Sequence, residues 1–180
     1  MHRNFLQDKL NRHCPFDAAE ADMLQQIIEF VARHEGCFER SLSIGHVTGS
    51  AWIVDHERTH VLLTHHRKLD RWLQLGGHSD GDGHTLNVAL REGREESGLA
   101  QLQPLRDAIF DVDVHLIPAR KDEAAHYHYD VRFLLEADRR APLTLSGESK
   151  DLAWVSLDDA QRLAPEPSIQ RMVAKSRVLD

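Results

Sequence analysis

Cysteine is scarce in this 180-residue chain: only Cys14 and Cys37 occur, and their spacing is not that of a metal site. They are expected to be free, reduced thiols rather than part of a disulfide or zinc framework. Long apolar runs are missing too. Nowhere do roughly 18 apolar residues follow one another, which argues against a membrane-spanning helix. The leading MHRNFLQDKLNRH has no apolar stretch of the kind a signal peptide carries. A soluble, cytoplasmic protein is the resulting expectation. Positive charge is in deficit, with 22 Lys and Arg against 29 Asp and Glu and a net charge of -7. Broad binding to nucleic acid polymers or to membranes therefore has no electrostatic support. Internal repeats and low-complexity tracts are absent as well, and the length suits one domain with an appendage.

A change of texture near Gly36 to Ser43 divides the chain into a helical lead and strand-like sequence. In the lead, Asp17 follows Pro15 and stands three residues before Glu20, a capping-box-like start, and Ala21, Leu24, Ile28 and Val31 supply an apolar stripe. Such a helix must pack on its own domain or on a second copy of the chain, so a homodimer is compatible with it. From Gly45, HVTGSAWIVD and THVLLTHH flank the polar turn His56 to Arg58 and predict an antiparallel pair. Ala108 to Ile117 and His126 to Leu135 predict two further strands joined by PARKDEAA. Leu152 to Val155 reads as a short strand, and LDDAQRL and Ser168 to Ser176 as terminal helices.

The segment GGHSDGDGHTLNVALREGREESGL, residues 76 to 99, runs from a glycine-rich loop into a helical pattern. Leu86, Ala89, Leu90, Gly93 and Ser97 form the expected packing stripe, which sets Glu92, Glu95 and Glu96 on the side away from the core. An acidic face is ordinarily just solvated. Here Glu95 and Glu96 fall in the last turn before Gly98, where the helix dipole disfavours negative charge by roughly 0.3 to 1 kcal/mol each. Carboxylates at i, i+3 and i+4 also repel unless a cation sits among them. Oxygen-only ligands suit Mg²⁺ or Mn²⁺, and Mg²⁺ typically completes its shell with water and substrate phosphates. The expected substrate is a small phosphorylated metabolite.

Gly77 to Leu99 resembles the Nudix box, G-x5-E-x7-R-E-U-x-E-E-x-G-U with U apolar. Gly77, Arg91, Glu92, Glu95, Glu96, Gly98 and Leu99 match in register, whereas Gly83 replaces the first Glu and Gly93 an apolar residue. Asp80 and Asp82 lie beside Gly83 and can restore charge. The resemblance implies an α/β fold: a Nudix-like α/β/α sandwich with a mixed sheet over residues 44–180, preceded by an N-terminal helical extension over residues 1–43. It implies a metal-dependent hydrolase, a pyrophosphatase of nucleotide metabolism. The metal would be held by Glu92, Glu95, Glu96 and the Gly76 backbone carbonyl, with Arg91 orienting a box glutamate. The general base is not set by the box, and Glu123 and Glu148 are candidates outside it.

For the substrate diphosphate, Gly77, Arg120, Lys121, His126 and His128 are the candidate contacts, with Arg67, Lys68 and Arg71 as further cations. Histidine is abundant, at 13 residues. Alternation sets His126, His128 and Asp130 on one strand face and Asp113 and His115 on another, so that pairing of the two strands would gather a polar cluster. That cluster reads as a lining for phosphate, a transition-metal site or a set of hydrogen-bonded surface histidines. Trp52, Trp72, Trp154, Tyr127 and Tyr129 read as packing residues rather than base-stacking ones. The leading expectation is a pyrophosphohydrolase acting on an NDP-sugar, ADP-ribose, a dinucleotide or an NTP. A catalytically weak Nudix-like nucleotide sensor is the alternative, favoured by Gly83. A diphosphate-ester isomerase ranks third, because Cys14 and Cys37 both fall outside the Nudix-like region.

Overall fold

The computed structural model describes residues 2–119 and 124–179, without the His2 side chain. Its helices are α1 (His2–Arg12), α2 (Ala18–Arg33), α3 (Thr85–Ser97), α4 (Leu157–Leu163) and α5 (Pro167–Ser176). The strands are β1 (Gly45–Val54), β2 (His60–His66), β3 (Arg71–Leu73), β4 (Leu75–His78), β5 (Gln103–Pro104), β6 (Asp111–Ile117), β7 (His126–Glu136) and β8 (Ser149–Ser156). None of the described helices is long and apolar enough to cross a membrane.

β1 is the hub of a mixed sheet, and every one of its ten residues is buried. One edge pairs in parallel with β7 along its whole length; the other is shared between β4 at Thr48 to Ala51 and β2 at Ile53 and Val54, both antiparallel. β7 pairs onward with β6 and β5, and β2 with β3 and β8. Splitting the β1 edge between two partners makes the sheet branch at its centre.

Helices cover both faces. Leu6, Leu10, Leu24, Ile27 and Phe30 of α1 and α2 join Val47, Ala51, Ile53, Val131 and Phe133 in one core. On the opposite face Trp52, Leu63 and Leu134 meet Leu157, Ala160, Ile169, Met172 and Val173 of α4 and α5. The result is the expected α/β/α sandwich. Caps explain several helix ends. Asp17 accepts from the Glu20 N–H at 2.7 Å, Ser156 accepts from the Asp159 N–H at 3.1 Å, and Pro167 opens α5. Gly98 (φ 75) closes α3 in the left-handed conformation that glycine adopts without steric cost.

Three expectations need correction. α1 lies within the helical extension expected over residues 1–43, but as a helix separate from the one expected after Asp17. In α2 the buried apolar set is Leu24, Ile27, Phe30 and Val31, so the stripe is rotated from the one expected, and Ala21 and Ile28 are only half-buried. The capping box is half formed: the Glu20 carboxylate accepts from the Phe16 N–H rather than from Asp17, and also meets His13 at 2.8 Å and Lys175. A fully buried carboxylate gains more from those charged and polar partners than from closing its own helix turn. Burial alone would raise the Glu20 carboxyl, but the hydrogen bonds from His13 and Lys175 outweigh it and hold the group down at about 2.

Candidate active site

α3 lies close against β1 because glycine stands at two contact points. A Cβ on Gly49 would come within 2.7 Å of the Thr85 carbonyl oxygen, and one on Gly93 within 3.4 Å of Ala51 in β1 and 2.8 Å of Leu102 in the loop after α3. The apolar residue that the box pattern would put at 93 is thus replaced by close approach of helix and sheet.

This seating overturns the expectation of an acidic face turned from the core. Glu96 is 7% exposed, and its carboxylate accepts the Gly76 N–H at 3.0 Å. Glu92 is half-buried beside Gly77, where a Cβ would sit 2.5 Å from its carboxylate; Glu95 alone is exposed. The buried positions of α3 are Thr85, Val88, Ala89, Gly93, Glu96 and Ser97, and Leu86 and Leu90 are only half-buried. Strand β4 draws the helix's last two turns inward, which a helical wheel cannot anticipate.

Arg91 donates to the His78 carbonyl at 2.6 Å and to Glu92 Oε1 at 2.8 Å, so it ties the helix to the end of β4 and sets the Glu92 carboxylate. Burial raises the Glu92 carboxyl, against the pull of Arg91 and with Glu95 and Glu148 adding repulsion. Burial pushes Glu96 up to about 7; the Gly76 N–H opposes this, while Glu92, Glu148 and Glu95 reinforce it. Glu148 therefore lies within electrostatic reach of the box carboxylates. Its loop is held by Arg67, which donates to the carbonyls of Gly147 (3.1 Å) and Ser149 (2.9 Å) and so has a structural task. Arg71 pairs with Glu166 at 3.6 Å, and Lys68 is exposed. Arg120, Lys121 and Glu123 lie outside the described residues.

Sequence reasoning missed Arg40. It comes from the segment after α2 and grips Asp80 with two hydrogen bonds, one of 2.6 Å from Nη2. The Asp80 bond chiefly raises its pKa, and Glu92 and Glu148 contribute as well. The helical lead thus sends a cation to the rim of the acidic site. Asp82 accepts the His84 N–H at 2.8 Å at the start of α3, and Gly83 between them is buried.

On the other face of β4 the histidines gather. His46 of β1 registers with His128 of β7, His128 with His115 of β6, and Thr48 with His78 of β4. Ring centroids of His46 lie 5.0 Å from His78, 5.0 Å from His126 and 4.8 Å from His128. The pairing expected between β6 and β7 does form a polar cluster, with His46 and His78 as members that spacing alone did not reveal. Burial, then His78 and His126, lower His46 to about 4; burial, then His115 and His46, lower His128 to about 2. His126 and His128 accordingly sit among other imidazoles. Asp130, on the same face, accepts from Thr48 (2.9 Å), Ser50 (2.7 Å), Gln74 (3.2 Å) and Arg132 (2.7 Å). From Arg132 a buried charge chain continues through Asp111 to Arg171, Lys175 and Glu20.

A family model, the NUDIX domain, matches residues 46–175. No curated protein matches the chain in sequence. Among solved structures, a C. elegans Ap4A hydrolase binary complex is similar with a TM-score of 0.58 and 19% identity, over 72% of this chain and 93% of that one. The E. coli dihydroneopterin triphosphate pyrophosphohydrolase gives a TM-score of 0.56 and 15% identity over 72% and 92% of the two chains. The NUDIX domain of Shewanella oneidensis NrtR complexed with ADP ribose gives 0.52 and 14% over 83% and 95%. At such identities the likeness is one of fold.

Proposed function

The chain belongs to the NUDIX domain family, and from that premise we propose that it is a divalent-metal-dependent pyrophosphohydrolase of a small nucleoside diphosphate derivative. The observation that carries this reading is the convergence of Glu92 and Glu96 on the Gly76 to Gly77 strand, with Glu95 on the same helix. Carboxylates pushed toward protonation by burial and by one another are a donor set that a cation would relieve, and an all-oxygen set fits Mg²⁺ or Mn²⁺. Glu92, Glu95, Glu96 and the Gly76 carbonyl are the groups that would hold it. When bound, such an ion neutralises diphosphate charge and makes a coordinated water acidic enough to attack phosphorus.

The chain's own residues have separable tasks in this scheme. Arg91 fixes the Glu92 rotamer through its fork to the His78 carbonyl. Gly77 leaves room for the Glu92 carboxylate, and the Gly76 N–H steadies Glu96. Glu148, exposed and within reach of the box, is our candidate to take a proton from the attacking water. Substrate candidates are an NDP-sugar, ADP-ribose, a dinucleotide or an NTP.

The test is turnover of a panel of these compounds with Mg²⁺ or Mn²⁺, with products separated by chromatography. Glu95→Gln and Glu96→Gln should each lower the metal-dependent rate at least about tenfold without unfolding the protein. Near-wild-type rates in both variants at saturating Mg²⁺ would remove the box from the mechanism. Gly83, in place of a family glutamate, favours a second reading as a nucleotide sensor. That reading takes the lead if nothing turns over while one of the panel compounds raises the melting temperature.

A further inference from the structure

Strand β4 presents successive residues to opposite faces of the sheet. A Cβ on Gly77 would point at Glu92, whereas His78 registers with Thr48 and faces the imidazole cluster. One short strand thus separates a carboxylate set from a histidine set. We propose that His46, His78 and His128 form a second metal site, specific for a borderline transition cation such as Zn²⁺ and distinct from the carboxylate site. The proposal does not depend on the hydrolytic reading.

Geometry supports it first. One ring nitrogen from each of the three residues lies within 4.8 Å of the other two. Three points so spaced all lie within about 2.8 Å of a common centre, and Zn–N bonds are about 2.0 to 2.1 Å, so each ring needs to move by less than about 1 Å. His126 borders the triad, its Nε2 3.3 Å from His128 Nε2. The His126 Nδ1 meets the Ala124 carbonyl at 2.9 Å, which places the proton on Nδ1 and directs the Nε2 lone pair inward.

Unmet hydrogen bonding supports it independently. His46 is 1% exposed, and neither of its ring nitrogens has a hydrogen-bond partner among the described residues. Burying an imidazole without partners is costly, and a metal bond satisfies one nitrogen outright. Donor chemistry supplies the selectivity. Imidazole nitrogens suit Zn²⁺, Cu²⁺, Fe²⁺ or Ni²⁺ and are poor ligands for Mg²⁺, which the carboxylate side prefers. Because the three ligands come from β1, β4 and β7, an ion there would staple three neighbouring strands.

The experiment is a Zn²⁺ titration of the untagged, chelator-treated full chain in excess Mg²⁺, read by calorimetry and thermal unfolding. A single Zn²⁺ per chain should bind and raise the melting temperature. His46→Gln and His128→Gln should each weaken it by at least about a hundredfold, while Glu92→Gln leaves it unchanged. X-ray absorption on the Zn²⁺-loaded wild type should show the multiple-scattering pattern of imidazole ligands, a readout that does not require the variants to fold. Absence of Zn²⁺ uptake over Mg²⁺, an oxygen-only shell, or loss of binding in Glu92→Gln alone would overturn the proposal.

Discussion

Glu96 makes the metal-free protein sensitive to pH in a direction opposite to that of most carboxylates. Its folded-state pKa is raised from 4.5 to about 7, so the folded state holds this proton more tightly than the unfolded chain does. The Glu96 contribution is therefore most favourable at acidic pH, where the group is protonated in both states, and is lost as pH rises from 4.5 through about 7. A rise of that size corresponds to about 3 kcal/mol once ionisation is complete. Glu96→Gln removes the charge and keeps a carbonyl oxygen to accept the Gly76 N–H. In urea denaturation of chelated protein, we expect the variant to exceed wild type by about 3 kcal/mol near pH 8 and by less than about 1 kcal/mol near pH 5. Mg²⁺ should shrink the difference at the higher pH by stabilising the wild type. An equal difference at both pH values, or a variant less stable near pH 8, would refute the account of a carboxylate held at a cost against the strand.

Gly49→Ala should destabilise the protein by about 1 to 3 kcal/mol, because its Cβ would meet the Thr85 carbonyl and Val88; Gly147→Ala, with open space around it, should be nearly neutral in the same thermal unfolding assay. Equal effects would remove close approach as the reason for glycine in β1. Lys175→Met leaves the buried carboxylates of Glu20 and Asp111 short of a cation and should cost about 3 kcal/mol in urea denaturation. A loss below about 1 kcal/mol would mean that His13, Arg132 and Arg171 suffice to hold that network.

Local pattern carried much of this molecule. Strand-like apolar runs marked β1, β2, β6 and β7, Asp17 stood as a cap, and the box spacing put Arg91 and three glutamates on one helix, because all of these are short-range consequences of backbone geometry. The helical lead was expected as a whole, but the bounds of α1 within it were not, since Leu6 and Leu10 are a narrow apolar contact whose worth depends on the core they enter. The helical wheel of α3 likewise went astray over Glu96, which is buried by the Gly76 N–H twenty residues upstream rather than by its own neighbours.

Local sequence pattern thus specifies an inventory: which segments are strands or helices, and which helix bears the acids. Tertiary structure alone decided who meets whom. His46 and His128 are 82 residues apart and come together through the parallel register of β1 and β7, and Glu20 reaches Lys175 only because α2 and α5 pack from opposite ends of the chain. Periodicity specifies a face but not the partner that covers it. The partner follows from strand register and close packing over the whole chain, and so do the burial and pKa of each acid and imidazole.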